Sequence, residues 1–183
     1  YAYMPITQGI SQGNSSLVIA FFQTTPGLGT SFYAWFTVAE FIGRTVGGIV
    51  HYRFEIKPER RFDFAYLVYL MYSFMDIILL FIGYPFMLLN RAICGFLGIN
   101  SATLRESSVQ NYIPDDKRAK LNGLFDSITS ISCMTCYTLI GILGEVLSYK
   151  KSIVLTGVIE IIACYFIMYQ GRQEVKKVYN KRY

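Results

Sequence analysis

The chain has 183 residues, of which 53% are hydrophobic, 16% aromatic and only 16% charged, with a formal net charge of +5. The apolar residues come in long blocks, not interleaved with charge at helical spacing, which excludes an ordinary soluble domain and points to an integral membrane protein. The positive charge is explained by where it falls along the chain and gives no support to a nucleic-acid partner.

In chain order, the first predicted span covers about 3–22 and is the most polar, interrupted by Gln8, Gln12 and Asn14. Gly9 and Gly13 stand in it at GxxxG spacing. Amides in a helix of this kind suit contact with a polar substrate in a cavity, or hydrogen bonding between helices.

The second span, about 30–50, follows the turn QTTPGLG and reads TSFYAWFTVAEFIGRTVGGIV. It holds Glu40 and Arg44 at i and i+4, on one helix face with the acid on the favoured N-terminal side. An ionised group at a helix centre costs roughly 2.5–3.5 kcal/mol on insertion scales, and pairing lowers that cost. Ala39, Gly43 and Gly47 form an adjacent small-residue stripe that admits a neighbouring helix. Two readings stay open: Glu40 as a proton-coupling carboxylate tuned by Arg44, or a static interfacial pair.

From Phe64 to Leu104 there are 41 residues with two charges, Asp76 and Arg91. A bilayer core of roughly 30 Å takes about 20 helical residues, so this block is two spans, about 64–82 and 86–104. The turn between them is Gly83-Tyr84-Pro85. Asn90 and Arg91 fall near the outer end of the fourth span, where Arg91 either holds an anionic group or snorkels to the interface. The fifth span, about 122–147, carries Asp126 near its start, and basic residues such as Arg53 and Arg118 are its expected partners in a gating or structural ion pair. The sixth, about 152–170, carries Glu160, which like Asp76 is expected to hydrogen-bond between helices.

Charge placement fixes an orientation. The connections after spans two and four and the tail after span six hold thirteen of the 17 basic residues, including Arg53, Arg118 and Arg182. The odd-numbered connections hold only Lys150 and Lys151. By the positive-inside rule, both termini lie in the cytoplasm. The expected fold is all-α and polytopic, with six transmembrane helices in one unit over 1–183.

Other chemistry finds no pattern. Cys133-Met-Thr-Cys136 lacks the second pair or nearby His that a zinc site needs, and His51 is the only histidine. No Walker A sequence is present. Catalytic residues, metals and cofactors are therefore not expected.

The run NRAICGFLGINSATLRESSVQNYIPDDKRAKLNGLFDSITSI resembles the tenth and eleventh helices of major facilitator superfamily transporters, through Arg105, Gln110, Pro114, Arg118 and Gly123. GTSFYAWFTVAEFIGRTVGGIVHYRF is similar to the eighth helix and its cytoplasmic loop, although Tyr52 stands where that loop pattern has Asp. The resemblance spans the chain as a C-terminal six-helix half. With Tyr1 as first residue, a preceding N-terminal six-helix half is expected. It implies a secondary active transporter in a plasma membrane, moving small molecules by alternating access on an ion gradient, expected to be of protons in symport or antiport, with efflux members the nearer in loop pattern. Gln8, Gln12, Asn14, Asn90 and Arg91 then become cavity or substrate-binding residues. The competing class is a non-transporting six-helix membrane protein, such as a channel subunit, scaffold or intramembrane enzyme.

Overall fold

A computed structural model describes residues 2–54 and 56–181. Tyr1 and, in the basic tail, Arg182 lie outside the described residues.

The described residues are all-α, without strands. The helices are α1 (Tyr3–Thr24), α2 (Thr30–Arg53), α3 (Arg61–Leu79), α4 (Tyr84–Tyr112), α5 (Asp115–Leu147), α6 (Tyr149–Ala163) and a short α7 (Arg172–Tyr179). A 3-10 turn, Pro58–Arg60, leads into α3, and α6 widens into a π-helical stretch over Cys164–Tyr169.

Local chemistry explains the breaks. Gly27 takes φ +82° in the turn before α2, and Pro85 sits in the first turn of α4, where its missing N–H costs nothing. Pro114 precedes α5, and Asp115 and Asp116 occupy its first turn, where carboxylates complement the positive end of the helix dipole. One residue, Ser148, separates α5 from α6, and it does so at φ 85° and ψ 148°.

Among the described residues, three helical stretches are long and apolar enough to cross a membrane: Pro58–Leu79, Asp115–Leu147 and Tyr149–Tyr169, with mean hydropathies of 1.5, 1.5 and 2.0. The sequence reading expected six. α1, α2 and α4 are long enough but more polar, because they carry Gln8, Gln12 and Asn14, Glu40 and Arg44, and Asn90, Arg91 and Asn100 respectively. Both α4 and α5 also run beyond the predicted spans at the ends that meet around Pro114.

α2 packs most extensively on α4, and α1 on α5, while α3 lies against α4 and α6. Small residues make the first two crossings close. A Cβ at Gly43 would collide with the Ala92 carbonyl, and one at Gly95 with the Glu40 carbonyl. Gly9 and Gly13 of α1 meet Ser132, Cys136 and Ile140 of α5 in the same way. The four cysteines are free thiols.

Buried apolar residues form two clusters, one toward each end. The first gathers Leu17, Phe22, Phe36, Leu79, Met87 and Ile153; the second gathers Tyr3, Phe62, Ala65, Leu104, Cys164 and Met168. Between them lies a layer of buried polar side chains: Asn14, Ser73, Asp76, Asn90, Thr156 and Glu160. At the second, basic end α7 folds back onto the bundle. Asn180 accepts a hydrogen bond from the Phe62 N–H at 3.1 Å and donates to the Glu59 carbonyl at 3.2 Å. Tyr179 is buried there with its hydroxyl 3.2 Å from that of Tyr69, and burial pushes its phenol pKa up.

Candidate functional site

The glycine crossing of α2 and α4 brings the cluster together. With Gly95 backed onto the Glu40 carbonyl, Arg91 one turn earlier on α4 reaches across to the Glu40 side chain. Its Nε donates to Glu40 Oε2 at 2.7 Å, while Arg44 donates to Oε1 at 2.6 Å. Arg91 also lies 3.9 Å from Asp76 of α3, and its guanidinium stands 5.4 Å from the centre of the Phe36 ring. Four charges from three helices thus form one chain: Arg44, Glu40, Arg91, Asp76.

Exposure differs along that chain. The Arg44 side chain is 57% exposed, whereas those of Glu40, Arg91 and Asp76 are between 10% and 19% exposed. The inner three charges therefore interact in a low-dielectric setting, where attraction is strong and an unpaired charge is costly. A cleft of about 250 Å³ opens onto them, with Ser11, Gln12, Asn14 and Thr37 among its other lining residues. Such a site can bind a small polar group or a cation, and it can rearrange its ion pairs.

The predicted residues divide between this cleft and other places. Gln12, Asn14, Glu40, Arg44 and Arg91 line it together. Asn14 is buried and accepts a hydrogen bond from Thr156 of α6 at 2.8 Å. Gln8 is exposed and not among the lining residues. Asn90 points away, donating to the Met75 carbonyl at 3.1 Å, and so ties α4 to α3.

Asp126, Arg53 and Arg118 are not brought together. Asp126 is exposed on the wall of a second cavity of about 610 Å³ at the basic end, lined also by Arg105, Gln110 and Tyr179. Arg118 pairs with Asp115 at 2.5 Å and donates to the Gln110 carbonyl at 2.9 Å. Arg53 is exposed at the last residue of α2. His51 stands 3.1 Å from Asn100 Oδ1, whose amide in turn donates to the Gly47 carbonyl at 3.2 Å.

Sequence reasoning missed Asp76 as a member of the cluster and Arg91 as the second partner of Glu40. The i, i+4 rule pairs charges on one helix and is blind to a neighbour. The available signal was the charge count: a span that carries one unpaired charge needs a partner on another span.

Among the described residues no group of His, Cys, Asp and Glu is placed to hold a metal ion. No curated protein and no solved structure matches the chain. The sequence model of the Major Facilitator Superfamily, in contrast, matches residues 4–182, nearly the whole chain, and the glycine-crossed helical bundle with its polar interior agrees with it. The chain belongs to the Major Facilitator Superfamily, a family of membrane transporters.

Proposed function

We propose that the chain is one six-helix half of a secondary active transporter, working by alternating access against a second, N-terminal half, with energy from a proton gradient. In this reading all six long helices span a plasma membrane. Helices α1, α2 and α4 tolerate their polar residues because these face the bundle interior, the cleft or the partner half instead of lipid. Both termini are cytoplasmic, as the concentration of basic residues at one end supports. The substrate is a small molecule that meets the amides of α1, Gln8 and Gln12, on its way past the cleft, and export is the direction the loop resemblance favours.

The observation that carries the reading is the Glu40 site: a carboxylate inside the bundle, held by arginines of two helices and open to a cleft. An ion pair between α2 and α4 that can break and re-form gives the bundle two arrangements, which is what coupling requires.

The test uses cells expressing the whole transporter and loaded with ethidium, a fluorescent amphiphilic cation. Export should depend on the proton gradient and collapse with a protonophore, and Glu40→Gln should abolish its pH dependence. PH dependence that survives Glu40→Gln would remove this site from coupling.

A further inference from the structure

The cavity of about 610 Å³ at the basic end shares no lining residue with the Glu40 cleft. Its walls come from α1, α3, α4, α5 and the π-helical stretch, and α7 supplies one further wall. That volume lies in the range that holds one drug-sized molecule. The lining is mainly apolar and aromatic: Tyr69, Phe125 and Met168 belong to the bundle side, and Val175, Val178 and Tyr179 to α7.

Two features mark it as more than a packing gap. Ile167 and Met168 enter it from the π-helical stretch Cys164–Tyr169, a distortion found frequently at functional sites. The second feature is Arg105. Its side chain is 17% exposed, yet its guanidinium meets only the Met4 sulfur at 3.4 Å and Glu106 Oε1 at 3.3 Å. A thioether is a weak acceptor, and Glu106 is 69% exposed and solvated by water. The cavity therefore presents an under-used cation at the edge of an apolar chamber, and leaving a charge in that state is costly.

The acids on the wall do not cancel it. Glu174 is 76% exposed and accepts from Lys177 at 2.6 Å, and Asp126 is exposed to solvent. Lys181 stands 5.8 Å from the centre of the Tyr112 ring, itself part of the wall, and adds a second positive group there.

We propose that this cavity binds a single-chain anionic amphiphile of the fatty-acid class, with its carboxylate on Arg105 and its chain between the bundle and α7. The planar guanidinium offers a carboxylate two parallel N–H bonds in place of the sulfur contact. The chain buries apolar surface against Val175 and Val178, so occupancy holds α7 onto the bundle. Room for one drug-sized molecule selects a free single chain over a two-chain bilayer lipid. The site needs neither the Glu40 cleft nor proton coupling, and stands apart from the transport reading.

The experiment is photolabelling of the full-length protein in phosphatidylcholine nanodiscs, with a dodecanoate that carries a diazirine in its chain. Mass spectrometry should place the label on α7 and the end of α4. Free dodecanoate should suppress it, and dodecylamine and dodecanol should not. Arg105→Gln should lower labelling by about tenfold or more, the weight of a hydrogen bond to a charged group. If Arg105→Gln does not fold, Val178→Trp decides, because it fills the chamber from α7, outside the six long helices; it should suppress labelling as well. Competition by dodecanol or dodecylamine equal to that of dodecanoate overturns the anion. Labelling confined to other helices, or unchanged in both variants, overturns the site. Suppression by phosphatidylglycerol in the disc overturns the free ligand, because a bilayer headgroup then supplies the anion. Trypsin cleavage after Lys176 and Lys177 should slow with dodecanoate, and unchanged cleavage removes α7 from the site.

Discussion

Gly95 of α4 lies directly against the backbone carbonyl of Glu40 on α2, so the closest helix crossing and the central charge of the bundle are the same place. Chemistry at the Glu40 side chain therefore depends on a side chain that is absent. Gly95→Ala should push the helices apart and destabilise the protein by about 1–3 kcal/mol, the usual cost of overpacking. Gly43→Ala, facing the Ala92 carbonyl, should behave alike. Gly48→Ala is the control: its added Cβ meets open space, and it should stabilise α2 by about 0.4–1 kcal/mol. Thermal unfolding in detergent would separate the three.

Arg91 and Arg44 both hold Glu40 but should not matter equally. Removing Arg91 leaves two largely buried carboxyls without their shared cation, and Arg91→Met should cost about 3–5 kcal/mol. Arg44 is more than half exposed, so Arg44→Met should cost about 1 kcal/mol or less. Equal losses in unfolding measurements would mean that the network is not buried as described.

Ser148 carries the α5–α6 link in a backbone region almost reserved for glycine. Such strain is worth about 1–3 kcal/mol. Ser148→Gly should raise stability by about 1 kcal/mol, and Ser148→Val should lower it, as read from the midpoint of thermal unfolding.

Asn180 ties α7 to the bundle by satisfying the Phe62 N–H, one of the donors that the start of α3 cannot pair within its own helix. Asn180→Ala removes this bond and the one to the Glu59 carbonyl. The loss should be about 1–3 kcal/mol, spent locally on undocking α7. Trypsin cleavage after Lys176 and Lys177 should accelerate, while the main thermal transition stays in place.

The helices themselves were legible, because long apolar blocks and the Pro and Gly between them mark where a chain can span and turn. The Gly43 and Gly47 stripe was legible too, since the residues adjacent to a charge pair had to accommodate something close. What occupied that space was not. Arg91 near a helix end could either hold an anionic group or snorkel to the interface, and only the three-dimensional crossing shows it turned inward to Glu40. Asp76 was expected to bond between helices, but its partner Arg91 could not be named, because it comes from another helix at a sequence distance where no spacing rule operates. Asn90 and Arg91 are neighbours in sequence, yet point to different jobs, which a residue-type reading cannot separate.

The polar layer sits between two apolar clusters, and its cleft opens sideways. The exposed side chains of Ser11, Gln12 and Thr37 line that cleft on the α1–α2 flank. Hydration of the charges is thus controlled sideways, by whatever rests against that flank. A second half-bundle that tilts onto it and off it would act as a shutter, wetting or drying the ion pairs without any of these helices having to bend.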